Sequence, residues 1–347
     1  MADLLSQTPP FEGALAIHLF RAGRLLLGKP VSQYACLSTV HTDCHLRLSA
    51  KWQACEFMAT CSTNVRTSLA LCLTFTPDIQ LPFGVIFGGT DINEDVKVKP
   101  KRVVMEQVLL KARFAVAFTS KLKEEAELFL LSQSSKIYVQ PQGIQTEVTE
   151  RFCWTEFLRS SGISSEHVDD LRVFLLVCGL RKVKDPLFLV EVFSEWHCEN
   201  LLNVLIIIGP KIDPVFTVEV EAVVKRTAGV FLAQERSQQE LHAAMKRCFA
   251  MVNSSISEGM SAAILEAMDL GVPVVARDIP GNSSVVQHDV TGLLYSTPQE
   301  FVHQSQRLLS DHELRGRVVH NGKLYVEEHH SLKRERETYQ RLVGTLN

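Results

Sequence analysis

Two glutamates, Glu258 and Glu266, are separated by seven residues in a stretch whose two ends differ in polarity. Glu258 lies beside a glycine in the polar loop SEGMS, whereas Glu266 lies in the apolar run AAILEAM. If that run is helical, the second carboxylate lies about 12 Å further along the axis and about 80° around it. The two acids therefore do not suit acid and base roles on a single bond. They suit hydroxyl groups on two parts of one extended ligand, as carboxylates bind ribose in dinucleotide folds.

The loop before Glu266 has the residue types of an anion site. The apolar strand FAMVNSS precedes Glu258, and a helical pattern follows Ser261. The first amides of a helix carry positive partial charge and lack partners within the helix, so they attract anions. Gly259 lets a ligand approach the backbone closely, and Met260 continues the loop. The simpler alternatives are a solvated loop charge for Glu258 and a solvent-facing helix residue for Glu266.

A second loop, VCGLRKVKDP, follows another apolar strand and carries Gly179, Arg181 and Lys184. A guanidinium fork and an ammonium group together suit a diphosphate, and they stabilise the negative charge that develops when a bond to it breaks. A solvated basic turn is the alternative. No Asp-x-Asp pair occurs in the chain, and Asp91-Ile92-Asn93 is the nearest approach. We therefore expect neither a metal nor a cofactor at this site.

Short apolar runs alternate with helix-period segments from Ala14 onward, which is typical of parallel sheets covered on both faces. The pattern predicts an α/β protein with two doubly wound, Rossmann-like domains that face a cleft, at residues 1–150 and 171–330. Residues 151–170 are predicted as the linker, and 331–347 as a C-terminal helix that packs back on the first domain. Ligands of such sheets bind outside the carboxyl ends of the strands, where both charged loops fall.

Residues 31–81 interrupt this alternation. They contain five of the nine cysteines and many Ser and Thr residues, and they show no clear period before LALCLTF. A structureless segment of this length is unusual inside a compact sheet, so we expect a poorly ordered insertion. A metal site made by Cys36, His41, Cys44 and His45 is a weaker alternative, because these residues lack the paired spacing of structural zinc sites.

Composition narrows the class of protein. The chain has 347 residues, of which 46% are apolar, so it can form the cores of two domains. Lys and Arg total 36 against 39 Asp and Glu, which indicates no surface for nucleic acid or an anionic membrane. No apolar run reaches the roughly 20 residues of a transmembrane helix, and MADLLSQTPP does not resemble a signal peptide. Because the nine cysteines are irregularly spaced, we expect a reduced, cytoplasmic protein, with secretion as the weaker alternative.

Several motifs resemble glycosyltransferase family 4, whose members have the GT-B fold. The carboxyl-terminal half matches in the Glu-x7-Glu spacing, the strand GVPVVA and the turn TGLL. GLRKVKDP resembles the Arg/Lys loop of that family, IYVQPQGI its strand before the linker, and FGGTDIN a turn of its first domain. The resemblance covers about residues 82–330. It implies retaining, metal-independent transfer of a sugar from a nucleotide-diphospho-sugar to an acceptor that the sequence does not identify.

The resemblance also implies roles for individual residues. Arg181 and Lys184 would hold the diphosphate and Glu258 would bond donor-sugar hydroxyls, which makes these three the catalytic candidates. Glu266 would bind the ribose hydroxyls. The other donor-binding candidates would lie beside the phosphate and the sugar, and they are Gly179, Gly259, Met260 and Ser261.

The amino-terminal region departs from the family pattern. No first strand or glycine-rich loop precedes Glu12, and residues 31–81 intervene before PFGVIFGG. We therefore expect a splice-type variant with an incomplete first domain. The acceptor-side candidates are His18 and Asp91, although a core or strand-edge position is the simpler interpretation of His18. Two alternatives to transfer are a catalytically inactive variant that binds only nucleotide or partners, and a sugar-nucleotide epimerase.

Overall fold

The computed structural model describes residues Ala16–Ile17, 83–163 and 168–345. The acceptor-side candidate His18, the insertion predicted at 31–81 and the expected loss of a first strand therefore lie outside the described residues. None of the described helices combines the length and the apolar character that crossing a bilayer requires.

The chain divides into two compact units. The first comprises Met1–Gly143 together with Leu332–Asn347, and the second comprises Ile144–Ser331. Each unit contains a sheet whose described strands all pair in parallel. These parallel sheets with their helices confirm the predicted α/β class.

The sheet of the first unit has four strands in the order β1-β2-β3-β4. The elements of this part are strands β1 Ala16–Ile17, β2 Phe83–Ile86, β3 Phe114–Ala117 and β4 Ile137–Val139, helices α1 Gly89–Asn93, α2 Lys99–Lys111 and α3 Ser120–Phe129, and 3-10 turns at Asp95–Lys97 and Leu131–Lys136. Every residue of β3 is buried, as expected for a strand covered on both faces. Met105, Val108 and Leu109 of α2 pack in the same core as this sheet.

The sheet of the second unit has six strands in the order β10-β9-β8-β5-β6-β7. The strands are β5 Arg172–Val177, β6 Asn203–Ile208, β7 Val230–Ala233, β8 Ala250–Asn253, β9 Val274–Arg277 and β10 Leu293–Tyr295. The chain adds β6 and β7 on one side of β5 and then returns to place β8 on the other side. The strand order therefore reverses between β5 and β8, which makes this edge a topological switch point.

Apolar cores cover both faces of the second sheet. Successive residues of β5 alternate between two clusters, with Val173 and Leu175 in one and Phe174 and Leu176 in the other. The helices that contribute to these cores are α4 Trp154–Ser160, α5 Val190–Glu199, α6 Pro214–Lys225, α7 Gln238–Arg247, α8 Ala262–Asp269, α10 Pro298–Ser310 and α11 His312–His329. The unit also contains the short helix α9 Pro280–Ser283 and 3-10 turns at Val168–Asp170 and Lys182–Lys184.

The segment predicted as a linker contains a helix. Trp154, Phe157 and Leu158 of α4 are buried in one of the two cores of the second unit. The Trp154 and Phe157 rings stack with centroids 5.5 Å apart. Apolar residues three and four positions apart in CWTEFL carry the helical signal, but the segment is too short for that signal to stand out.

The carboxyl-terminal helix α12, Leu332–Gly344, belongs to the first unit. It buries Glu335, whose Oε2 accepts a hydrogen bond from the Gly143 amide at 2.9 Å. A Cβ on Gly143 would lie 2.6 Å from the Leu332 Cα and 2.8 Å from Glu335 Oε2, so only glycine allows this approach. The residue that precedes the second unit is thereby tied to α12.

Candidate functional site

The switch point brings the two charged loops of the second unit together. β5 pairs with β8 in parallel, with Leu176 opposite Val252, so the loops after both strands leave the same edge. Residues Lys182–Lys184 form a single 3-10 turn, which ends at Asp185 with φ of 44°. The predicted basic loop is therefore a compact turn and not the first turn of a regular helix.

Hydrogen bonds fasten the two loops to each other. The Ile256 amide donates to the Val183 carbonyl at 2.9 Å, and the Ser254 hydroxyl donates to the Lys184 carbonyl at 3.0 Å. Arg277, at the end of β9, donates to Asp185 Oδ2 at 2.9 Å and has its guanidinium carbon 3.8 Å from the centre of the Phe188 ring. Loops after three neighbouring strands are thus joined by direct contacts.

Lys184 and Glu258 form a direct ion pair at this edge. Lys184 Nζ lies 2.5 Å from Glu258 Oε1, and each side chain is 10% exposed. Ser255 Oγ donates to the same oxygen at 2.8 Å, and Asn253 Nδ2 lies 3.4 Å from it. Two of the three predicted catalytic residues are therefore in contact.

Electrostatics keep the Glu258 carboxylate charged. Burial alone would raise its pKa, but the Lys184 charge and the hydrogen bonds from Lys184, Ser255 and Asn253 outweigh that effect and lower the pKa. A carboxylate held in this state only accepts hydrogen bonds, so it suits partners that donate them.

Arg181 lies in the same neighbourhood. Burial raises the pKa of the Cys178 thiol to about 12, and the charges of Lys184, Glu258 and Arg181 all act on that thiol. The Arg181 Nε is buried and has no hydrogen-bond partner within the described residues. Because a buried donor without an acceptor is costly, this nitrogen is suited to an incoming anionic group.

Glycines allow the β5 and β6 loops to pack closely. A Cβ on Gly209 would lie 2.0 Å from the Cys178 carbonyl oxygen. A Cβ on Gly179 would lie 2.3 Å from the Ile212 Cδ1, a side-chain atom that can move more easily than backbone. The sequence pattern identified Gly179 but not Gly209, whose role depends on a neighbouring strand.

The helix that follows Glu258 presents its amino terminus to this edge. Ser261 is the N-cap residue of α8, but its side chain makes no capping hydrogen bond to the first helical amides. Gly259 is buried, and the Met260 side chain packs against the core. The backbone of Gly259, Met260 and Ser261 is therefore what this loop offers a ligand, whereas the methionine side chain has a packing role.

Asn253 organises this loop, although the sequence pattern did not single it out. Its Oδ1 accepts from the Ser255 amide at 3.1 Å and from Asn282 Nδ2 at 2.9 Å, and its Nδ2 faces Glu258 Oε1 and Ser261 Oγ, each at 3.4 Å. A Cβ on the neighbouring Gly281 would lie 2.1 Å from the Glu258 carbonyl oxygen. Polar residues that end an apolar strand are the only sequence signal for Asn253.

Glu266 lies further along α8 and has different partners. Gln238 Nε2 donates to Glu266 Oε1 at 3.0 Å, and His242 Nε2 lies 3.7 Å from Glu266 Oε2. The Glu266 side chain is 16% exposed, so it is neither the fully solvated residue of the simpler interpretation nor a core residue. These partners differ from Lys184, Ser255 and Asn253, which meet Glu258, in line with the helical separation of the two carboxylates.

Asp91, the other acceptor-side candidate, is 2% exposed in the first unit. Its Oδ2 accepts from the Gly88 amide at 2.8 Å, which closes the turn between β2 and α1. No group of three or more His, Cys, Asp or Glu side chains in the described part of the chain is placed to hold a metal ion.

Comparison with known sequences identifies a related group. Residues 163–325 match the family described as glycosyl transferases group 1. The chain is also 54% identical over 267 residues to glycosyltransferase 1 domain-containing protein 1 of Xenopus tropicalis. That match covers 77% of this chain and 77% of the frog protein.

Comparison with solved structures gives the fold. The Anabaena protein HepE, crystallised with UDP and glucose, matches with a TM-score of 0.65 at 15% identity over 81% of this chain and 75% of that chain. The pneumococcal O-GlcNAc transferase GtfA, crystallised with UDP and GlcNAc, matches with a TM-score of 0.60 at 15% identity over 81% of this chain and 54% of that chain. The likeness confirms the predicted GT-B architecture of two Rossmann-like α/β units.

Proposed function

Because the chain belongs to the group 1 glycosyltransferases, we propose that its second unit binds a nucleotide-diphospho-sugar and that the chain transfers the sugar to an acceptor. The single observation that carries this proposal is the Lys184–Glu258 pair at the switch point, with Arg181 beside it. Ligands of open α/β sheets bind at such a point. HepE and GtfA, which share the fold, were crystallised with UDP and a sugar.

The charges at this edge suit a diphosphate. Arg181 supplies a guanidinium whose Nε has no partner within the described residues, and Lys184 supplies a second cation. The amino terminus of α8 adds backbone amides that its N-cap side chain leaves uncovered. When the bond between sugar and diphosphate breaks, these groups stabilise the negative charge left on the departing nucleotide.

Glu258 has the environment of a sugar-binding carboxylate. Its lowered pKa keeps it an acceptor of hydrogen bonds, so it suits donor-sugar hydroxyls next to the diphosphate. Its ion pair with Lys184 supports a sugar-binding group next to a phosphate-binding one. Glu266, one helical stretch away and fixed by Gln238, suits the ribose hydroxyls of the same donor.

The finer parts of the proposal come from the resemblance to glycosyltransferase family 4. They are retention of the anomeric configuration, catalysis without a metal, and His18 and Asp91 as acceptor-side residues. We also propose a cytoplasmic location, which rests on the irregular spacing of the nine cysteines. An inactive variant that only binds nucleotide is the rival, although the matched family and the frog relative do not favour it.

Calorimetric titration with UDP, UMP, GDP and their sugar derivatives tests the donor site. We expect Arg181→Ala to weaken binding of the diphosphate roughly tenfold or more while changing binding of the monophosphate much less. Glu266→Ala should weaken both. Lys182→Ala is the matched control, because Lys182 is exposed in the same 3-10 turn as Lys184. Equal binding by the wild type, Arg181→Ala and Glu266→Ala would remove the site assignment.

Turnover assays test the reaction. The wild type should consume a nucleotide sugar in the presence of EDTA, and NMR of the product should show the anomeric configuration of the donor. Donor binding without turnover across a panel of sugars and acceptors would favour the inactive variant. Isomerised donor without acceptor would instead indicate an epimerase, and a requirement for added metal would contradict metal independence.

A further inference from the structure

A continuous chain of polar contacts runs from the Glu266 carboxylate to the backbone of Glu147. Gln238 Nε2 lies 3.0 Å from Glu266 Oε1 and 2.9 Å from His242 Nε2. His242 Nδ1 lies 3.0 Å from the Glu147 carbonyl oxygen, and the Glu147 amide N–H points to the same nitrogen at 3.1 Å. His242 is fully buried, so its ring nitrogens depend on these neighbours for their hydrogen bonds.

The charge on Glu266 decides where the protons lie along this chain. A carboxylate only accepts hydrogen bonds, so the Gln238 atom that faces it is the amide nitrogen. That nitrogen carries two hydrogens, and it presents the second one to His242 Nε2. Nε2 therefore accepts, and the neutral ring carries its proton on Nδ1. Nδ1–H then donates to the Glu147 carbonyl oxygen, whereas the Glu147 amide donates to Nδ1 only in the other neutral tautomer.

We propose that Gln238 and His242 are positioning residues of the donor site, which hold the Glu266 carboxylate through this proton-ordered chain anchored on the Glu147 carbonyl. The inference rests on the proposed function, in which Glu266 binds the ribose of the donor. Gln238 donates to Glu266 directly, whereas His242 Nε2, at 3.7 Å from Glu266 Oε2, is beyond hydrogen-bond distance and acts through Gln238.

The start of α7 fixes Gln238 in place. Ser237 and Glu240 form a reciprocal capping box, in which each side chain receives a hydrogen bond from the backbone of the other residue. Gln238 is the first residue of the helix, so its backbone is held by that box. A binding carboxylate must be held by a rigid supporting layer to meet two hydroxyls at once, and Gln238 and His242 supply that layer.

The proton order is tested by nitrogen NMR on protein labelled with ¹⁵N-histidine, without any nucleotide. The chain has 12 histidines, so His242→Asn identifies the His242 signals by difference. We expect the neutral ring of the wild type to carry its proton on Nδ1. In Gln238→Leu, which removes the donor to Nε2, we expect the proton to move to Nε2. A wild-type ring protonated on Nε2 would overturn the proposal.

Binding of UDP and 2′-deoxy-UDP separates positioning from a general structural role. Gln238→Leu should weaken UDP binding roughly tenfold and change 2′-deoxy-UDP binding much less, because only UDP offers both hydroxyls to Glu266. The same substitution in a Glu266→Ala background should have little further effect on UDP. Gln239→Leu is the matched control, because Gln239 is the next residue of α7 and donates its side-chain hydrogen bond to the Glu147 carboxylate.

The outcomes of these binding measurements distinguish failure of the positioning inference from failure of the proposed function. If UDP binds and Glu266→Ala abolishes the preference for UDP over 2′-deoxy-UDP, while Gln238→Leu leaves that preference unchanged, only the positioning inference fails. Equal loss of both nucleotides in Gln238→Leu would also overturn it, since that result indicates general damage. If the folded wild type binds neither nucleotide, the proposed function fails and the inference fails with it.

Discussion

Glu258 in the second unit and Glu335 in the first are both buried glutamates, and they differ in the groups that meet their carboxyl oxygens. Glu258 faces the Lys184 ammonium, and its pKa is lowered despite burial. Glu335 accepts from the Gly143 amide, and its Oε1 has no hydrogen-bond partner within the described residues. Burial raises the pKa of Glu335 to about 7, which the Gly143 hydrogen bond only partly offsets.

The difference separates the proposed binding group from a structural one. Burying a carboxylate beside a lysine removes water from both charged groups, which costs free energy. Charged groups in such environments are common at functional sites. A carboxyl group that approaches neutrality near pH 7 needs no cation, and it can tie a helix to a backbone amide. Burial alone therefore does not mark a glutamate as part of a site, and the charge of its partner is the feature that favours Glu258.

The largest expected effect follows removal of the Lys184 charge. Lys184→Met leaves the Glu258 carboxylate buried without its cation, and we expect a loss of about 3–5 kcal/mol in the free energy of unfolding. UDP binding should also be lost. Denaturant titration and calorimetry measure the two effects.

The double substitution Lys184→Met with Glu258→Gln sharpens this prediction. Removing both charges should recover much of the lost stability without restoring UDP binding. Lys182→Ala should change the unfolding free energy by no more than about 0.5 kcal/mol. A loss in Lys184→Met no larger than that of the control would mean that the ion pair is not a buried one.

The next effect is a pH dependence of opposite sign at Glu335. Because the folded pKa of about 7 exceeds the ordinary 4.5, the protonated form favours the folded state below about pH 4.5, and that stability is lost as the pH rises through 7. The loss approaches roughly 3 kcal/mol. Glu335→Gln should lack it in denaturant titrations at pH 5 and pH 8.

The exposed Glu337 on the same helix is the control for Glu335. Glu337→Gln should keep the wild-type pH dependence. At Glu258 the sign is reversed, because its lowered pKa gives stability that is present above about pH 4.5 and is lost as the pH falls. Equal pH profiles for Glu335→Gln and the wild type would contradict the neutral character assigned to Glu335.

The smallest effect concerns Gly281, which packs against the backbone of Glu258. A Cβ on Gly281 would lie 2.1 Å from the Glu258 carbonyl oxygen, so Gly281→Ala should lower the unfolding free energy by about 1–3 kcal/mol and weaken UDP binding. Gly316→Ala in α11 is the control, because no atom beyond its chain neighbours and the adjacent helix backbone lies within 4 Å of its new Cβ. That helical alanine should be neutral or stabilising by up to about 1 kcal/mol. Matching losses in both variants would contradict the close approach.

Most of the architecture could be predicted from the sequence. Apolar strands alternating with helical patterns predicted a parallel α/β protein, because strands buried on both faces read as continuous apolar runs. Strand order did not follow from the pattern, since pairing of β5 with β8 joins residues far apart in the chain. The helix at Trp154–Ser160 was hidden in a short polar segment, whose apolar face depends on a core built elsewhere.

Only those residues of the candidate site that stand at a recognisable spacing after a strand could be predicted from the sequence. Arg181, Lys184 and Glu258 follow strands, and the structure brings these three to one edge. Asn253 and Gln238 were missed because their importance comes from contacts between separate loops and helices. The roles assigned to the site residues stay predictions until the binding variants are measured.

Arg277 joins loops that follow three neighbouring strands, through Asp185, Phe188 and the carbonyl of Ser254. Mobile loops lose conformational entropy when a ligand orders them, and that loss weakens association. Here the contacts of Arg277 order the loops when the chain folds. A ligand of this edge therefore does not lose affinity through ordering them.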